Sequence, residues 1–390
     1  MKEDKSTLFK TLLLILIVFF IPNFYAYFKF LFSNKYQMDL QIFNLDSYFL
    51  NIALIIQVVT FIIVIFFAFL NKKNVKPIKI EQKKYGMIVL VIQSLFFLVN
   101  VIYQANRAGS EQSNMPWYIS YIFILLLPDS LTLIYLFVAD KSKLKTINIL
   151  VFITSNLSRG WMGAFMYLIV LIFLENKIKV KSVISLTISF LLLIASMPLI
   201  LKAKWYFRSE SNSLNFFDFI SMMSVSEYIH SLSTTFDYIL IRLQNLSTLI
   251  YLLSNNDRIE ASHFLPFWAE GNLQLIFVKL FNISLPTLNS YIVEHLMGYS
   301  NVQWSVQTGL GSLLIINPII FIAMLIYIFI LIRFLNILRI SNHSYLIQSF
   351  IIYIIFSRLF YGWYASFFNF ILSFILTSII IFLIRDRKNE

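Results

Sequence analysis

Ala203-Lys204-Trp205-Tyr206-Phe207-Arg208 opens, and Ser305-Val306-Gln307-Thr308 closes, the long stretch of this chain that is not built for lipid. On either side run apolar segments long enough to cross a bilayer, which takes about 20 mostly apolar residues. The stretch itself holds eight carboxylates (Glu210, Asp218, Glu227, Asp237, Asp257, Glu260, Glu270, Glu294) and five cations (Lys204, Arg208, Arg242, Arg258, Lys279), a charge of −3 in a chain whose total is +12. Three of the four histidines, His230, His263 and His295, fall here as well. Ionisable groups for any chemistry are therefore concentrated between residues 203 and 308. The stretch has few glycines and prolines and lacks the composition of a flexible tether.

Composition decides the class of protein around it. Hydrophobic residues make up 59% of the 390, charged residues 13%, and mean hydropathy is +0.78. A soluble protein could not hide that much apolar surface behind so few charges. The 41 phenylalanines and 21 tyrosines suit packing in lipid and at its interfaces. The absence of cysteine removes disulfides, thiolate chemistry and Cys-ligated metals. The basic residues sit in short loops beside apolar runs, where they orient a membrane protein. They form no folded basic domain, so nucleic acid is not an expected partner.

The runs can be ordered by their flanking lysines. Residues 8–30 and 48–70 are spans, the first bent at Pro22 and Asn23 and lacking a cleavage site. The loop after them, 71–84, carries six lysines and marks the cytoplasm, which places the N-terminus there too. Residues 85–103 go out and 117–138 return to Lys141, Lys143 and Lys145. Residues 146–174 then have lysines on both sides, since Lys177, Lys179 and Lys181 follow, yet about 29 residues are too few for two full spans. We expect two short helices meeting at 155–160, re-entrant in character, with Arg159 held at bilayer depth. An arginine there is costly unless paired and is a functional candidate for that reason. Residues 182–201 exit to the 203–308 stretch, 309–331 return, 345–360 go out and 365–384 come back.

The expected fold is thus an all-α polytopic membrane protein with about ten membrane segments and both termini inside. One large, partly helical outer loop spans 203–308, between an N-terminal bundle, 1–202, and C-terminal helices, 309–390. Within the loop, residues 236–253 and 278–295 have helical apolar spacing and read as helices on or dipping into the interface.

No phosphate-binding loop, dinucleotide fingerprint or His-Glu-x-x-His motif occurs, and no ligand-like spacing marks a metal site, so neither cofactor nor metal is expected. What stands out is arginine on the outer side: Arg159, Arg208, Arg242 and Arg258, with Arg107 and Arg358. A guanidinium fork suits bidentate pairing with phosphate or carboxylate. These residues could form a pocket for a lipid-linked anion, or each could pair with a nearby acid, as Arg258 with Asp257. Glu294 or His295 could accept a proton from a hydroxyl. Trp205, Tyr206 and Trp268 could stack on sugar rings or anchor the interface.

Thr154-Ser155-Asn156-Leu157-Ser158-Arg159-Gly160 with its following apolar run, Ile241-Arg242-Leu243-Gln244-Asn245-Leu246-Ser247, and the exit Asn301-Val302-Gln303-Trp304-Ser305-Val306-Gln307-Thr308-Gly309-Leu310-Gly311 together resemble the Wzy-type O-antigen polymerases. The likeness covers roughly residues 146–335. It implies a glycosyltransferase of the bacterial inner membrane that joins undecaprenyl-pyrophosphate-linked oligosaccharide units at the periplasmic face, with a chain-length regulator as a possible protein partner. Arg159, Arg242, Glu294 and His295 would be catalytic. Arg208, Arg258, Trp205 and Tyr206 would bind substrate. Residues 300–304 lack the histidine motif of the related O-antigen ligases, which favours polymerase over ligase. A polysaccharide flippase or other transporter is the alternative from another class.

Overall fold

The computed structural model describes residues 2–38, 41–69, 81–107, 115–161, 163–175, 195–202, 206, 218, 223–283, 285–298, 306–337 and 344–384. They are predominantly helical, and five helical stretches are long and apolar enough to cross a membrane: Phe9–Ser33, Ser47–Phe67, Gln82–Tyr103, Trp117–Val138 and Tyr364–Ile384. Shorter apolar helices run through Met166–Glu175, Pro318–Arg333 and Leu346–Phe360. The chain is a helical membrane protein. The expected span 182–201 lies largely outside the described residues.

The chain divides into two compact units, Met1–Ile80 with Leu240–Leu383, and Glu81–Ile239 with Ile384–Glu390. The first is organised around aromatic packing. Phe19 meets the rings of Tyr353, Phe356, Phe360 and Tyr361 at centroid distances of 5.0 to 6.4 Å. Both contact surfaces are π-helical, Leu16–Phe20 on one side and Ile355–Phe360 on the other. A π segment inserts a residue into the helix and recurs at functional sites. One small non-helical element belongs to this unit: strands Lys35–Met38 and Gln41–Asn44 pair antiparallel, and Ser247 donates a hydrogen bond to the Gln37 carbonyl.

In the second unit, helix Gln82–Tyr103 packs against helices Pro128–Val138 and Lys143–Ser158. Close approach is set by Gly86, where an added Cβ would lie 2.4 Å from the Tyr135 hydroxyl oxygen. Helices Lys143–Ser158 and Gly163–Glu175 form a short hairpin that turns at Arg159-Gly160. At about 1.5 Å per residue they are roughly 24 and 20 Å long, shorter than the hydrocarbon core. Lys145, buried, donates to Glu175 at 2.5 Å across the open end of this hairpin.

Several expected helices are interrupted. Residues 117–138 are two helices, Trp117–Leu126 and Pro128–Val138, separated by Leu127 at φ +47. Residues 309–331 break at Asn317, before Pro318. In each case proline disfavours the helical conformation of the residue before it. Residues 236–253 are not one interfacial helix: Val225–Arg242 ends, residues 243–245 turn, and Leu246–Ser254 is mostly buried. Residues 278–295 likewise resolve into the end of helix Asn272–Leu280, an irregular link, and Leu288–Tyr291 continued by the π segment Ile292–Leu296.

Candidate functional sites

The second unit holds Arg159, 5% exposed, at the C-terminus of helix Lys143–Ser158. Its Nε donates to the Ser155 carbonyl at 2.9 Å, and Nη2 reaches both carboxylate oxygens of Asp129, at 2.9 and 2.7 Å. The Phe96 ring lies 4.8 Å from the guanidinium carbon, a cation–π contact. Among the described residues Nη1 donates to nothing. Asp129 is held in turn by Gln93 Nε2 at 3.0 Å and Asn156 Nδ2 at 3.3 Å, while Thr132 donates to Gln93. The break at Leu127-Pro128 creates this arrangement. It puts Asp129 in the first turn of a new helix, where the N-terminal dipole favours a carboxylate. A leucine at positive φ is strained, and strain of this kind clusters at functional positions. Asp129 was missed from sequence because residues 117–138 were read as one span; Pro128-Asp129 inside the apolar run was the available signal.

The first unit gathers a buried polar floor. Thr308 donates to Asn289 Oδ1 at 2.8 Å, Asn289 to the Gly362 carbonyl at 3.2 Å, and Asn245 to the Phe360 carbonyl at 3.3 Å. Gly309 N donates to the Tyr361 carbonyl at 3.0 Å, and Tyr364 to the Gly309 carbonyl at 3.2 Å. Two of the stretches that carried the resemblance, 241–247 and 301–311, meet here, at Asn245 and Gly309. Glu270 belongs to the same region. It is 2% exposed and faces the backbone N–H groups of Leu288 and Ala365. Burial pushes its carboxyl up to about 8, against the opposing pull of those two N–H groups. Among the described residues, Asn245 Oδ1, Gln307 Oε1 and Glu270 Oε1 are buried without a hydrogen-bond partner. Glu270 was named in the sequence only as one of eight acids; nothing local distinguishes it.

The sign of its pH effect follows. A carboxyl raised in the folded state contributes stability that is full below about 4.5 and is lost as pH rises through about 8. Glu270→Gln is therefore expected to stay folded and to lose much of the decline in thermal midpoint between pH 5 and 9 in detergent. A variant that keeps the wild-type slope contradicts this assignment.

Above the floor lies an exposed ledge. The His295 ring lies 5.2 Å from that of Tyr291, tilted by 44°, and the Tyr291 hydroxyl lies 3.5 Å from His263 Nδ1 and 3.4 Å from the Arg258 carbonyl. His263 Nε2 is 3.6 Å from Glu260. Glu294 and His295 both lie exposed on the π segment. The structure thus places Arg258, Glu294 and His295 on one exposed region and adds His263, which the sequence reading had not placed in the site. Arg242, partly buried, ends helix Val225–Arg242. Arg159 belongs to the other unit. Tyr206 is half-buried, and Trp205 and Arg208 lie outside the described residues. Among the described residues no group of three His, Asp or Glu could hold a metal ion.

Comparison with protein-family models, with curated proteins and with solved structures finds no match to this chain.

Proposed function

We propose that this protein is a membrane glycosyltransferase that polymerises undecaprenyl-pyrophosphate-linked oligosaccharide units, in the manner of the Wzy-type polymerases it resembles, at the outer face of a bacterial inner membrane with about ten membrane segments. The observation that supports it best is the ledge of His263, Tyr291 and His295 beside Arg258, set over a buried polar floor in a protein that is otherwise apolar. In the proposed reaction an acceptor hydroxyl attacks the anomeric carbon of the growing chain. The new C–O bond forms as the bond to pyrophosphate breaks, and the pyrophosphate leaves with the electron pair. The hydroxyl proton passes to His295 or Glu294, either of which can act as a general base. Guanidinium groups balance the charge that builds on the leaving oxygen. The resemblance makes Arg159, Arg208, Arg242 and Arg258 the candidates for this role.

The interrupted span at Leu127 favours a second reading, a transporter of lipid-linked saccharide, since broken spans line substrate paths in many carriers. Chain length of the surface glycan separates the two. A deletion strain is expected to carry single repeat units, and His295→Ala to yield them with wild-type membrane levels. Loss of all surface glycan on deletion would favour the transporter. Full ladders from His295→Ala would remove the ledge from the reaction.

A further inference from the structure

Residues 265–286 leave the bundle and return to it at a single neck, where Leu265 N donates to the Pro286 carbonyl at 2.7 Å. The root of this finger is wedged between two apolar helices of its unit. The Phe267 ring lies 6.4 Å from Tyr327 and 6.0 Å from Tyr364, and Tyr327 lies 5.7 Å from Phe368. A Cβ added at Gly271 would sit 2.8 Å from Phe368 Cβ, and Asn272 and Asn369 exchange hydrogen bonds at 2.8 and 2.9 Å.

These partners fix its depth. Tyr327 is nine residues beyond Pro318, so about 14 Å along the axis, and Asn369 is five beyond Tyr364, about 7 Å along a helix apolar enough to cross a membrane. The irregular backbone at the root is covered by protein, with Phe264, Leu265, Phe267 and Glu270 all buried. That is the condition under which non-helical backbone is tolerated at such depth. The outer flank of the finger is the opposite. Leu280 and Phe281 are 70% and 75% exposed, and Leu273, Ile283 and Leu285 are exposed too. Between residues 271 and 285 the sequence has one ionisable residue, Lys279. Helix Asn272–Leu280 is about 13 Å long, which fits within one leaflet.

We propose that residues 265–286 form a re-entrant finger whose flank of Leu273, Leu280, Phe281, Ile283 and Leu285 is immersed in bilayer hydrocarbon, so that part of the 203–308 stretch lies in the membrane rather than above it. The occupant of this apolar face is lipid, because the root is held by Tyr364–Ile384, long and apolar enough to cross a membrane, and by the apolar helix Pro318–Arg333. The proposal does not depend on the enzyme reading.

The chain has no cysteine, so single cysteines can be labelled without background. Phe281→Cys and Leu285→Cys, carrying nitroxide labels in reconstituted vesicles, would be measured for collision with oxygen and with a water-soluble nickel chelate. Ile322→Cys on an exposed flank of a span and Asp257→Cys on an exposed turn serve as the lipid and water references. The expected oxygen-to-nickel ratio at both finger positions matches Ile322→Cys and exceeds Asp257→Cys roughly tenfold, since the bilayer core excludes water. A ratio equal to that of Asp257→Cys would put the finger in water. Low collision with both reagents would mean that protein, such as a second copy, covers it. Either result overturns the proposal. Gel filtration of each labelled protein checks that it is folded.

Discussion

Gly362→Ala is expected to destabilise the protein by roughly 2–5 kcal/mol, enough to deplete it from the membrane. Gly362 stands at φ +80 and closes the helix that contains Arg358: its N–H donates to the Leu359 carbonyl at 3.0 Å, and Trp363 N donates to the Arg358 carbonyl at 2.7 Å. This is the Schellman arrangement, in which a left-handed residue satisfies the last carbonyls of a helix. A side chain in that conformation costs roughly 1–2 kcal/mol. Space adds to the cost. The new Cβ would lie 2.4 Å from Thr308 Oγ1 and 2.5 Å from Gly309 N. The second neighbour is backbone, itself at φ +70 and hydrogen-bonded to Tyr361, so it cannot swing aside; overpacking of this kind costs about 1–3 kcal/mol. Gly163→Ala is the control. Among the described residues an added Cβ there meets nothing within 4 Å, and alanine in a helix is favoured over glycine by about 0.5–1 kcal/mol. Thermal midpoints in detergent should separate the two variants clearly. Equal midpoints would mean that the crossing of 308–309 over 362 is not a fixed part of the fold.

Arg159→Ala is expected to reduce surface glycan to single repeat units and also to lower stability. Removing one partner of a buried ion pair costs about 3–5 kcal/mol; Asp129 is 32% exposed, so the loss here should fall below that range. A double-mutant cycle separates the two effects. Asp129→Asn and Arg159→Gln should each destabilise, and the double variant should do so by less than their sum, leaving a coupling of about 1–3 kcal/mol. For function the expectation is different. Arg159→Lys keeps charge but loses the fork that bonds both Asp129 and Ser155, so it should restore ladders only in part. If Arg159→Gln gives full ladders at normal membrane levels, the Asp129–Arg159 pair only holds the hairpin in place and has no part in the reaction.

That the chain is a helical membrane protein was legible because apolar length acts locally. Arg159 stood out by the same logic: an arginine inside a run bounded by lysines on both sides has to be explained. Asp129 did not stand out, since one acid after Pro128 barely changes the hydropathy of a 22-residue run. Yet Pro128 and Pro318 each announced the interruption that the residue before them makes, and both breaks could have been read. Glu270 could not. It faces the backbone N–H groups of Leu288 and Ala365, the latter 95 positions along the chain, and no local pattern encodes that contact. The meeting of Gly309 with Asn245 and Gly362 is likewise a property of tertiary packing. Both 241–247 and 301–311 were singled out in the sequence, but only the fold shows that they touch.

The hairpin of Lys143–Ser158 and Gly163–Glu175 bears on how the protein is made. Its open end is closed by Lys145 and Glu175, and its turn by Trp161 N donating to the Asn156 carbonyl at 2.9 Å. Lys145 also donates to the Ala139 carbonyl at 2.9 Å, just ahead of the hairpin. The pair also cancels the charge at the mouth of two helices too short to span separately. The two helices are therefore expected to enter the bilayer together, as one preassembled wedge, after ribosomal synthesis has passed Glu175. Until then Lys145 lacks the Glu175 carboxylate, and its charge opposes entry into the bilayer. Insertion of this region is therefore expected to wait on the emergence of Glu175, thirty residues downstream of its lysine partner.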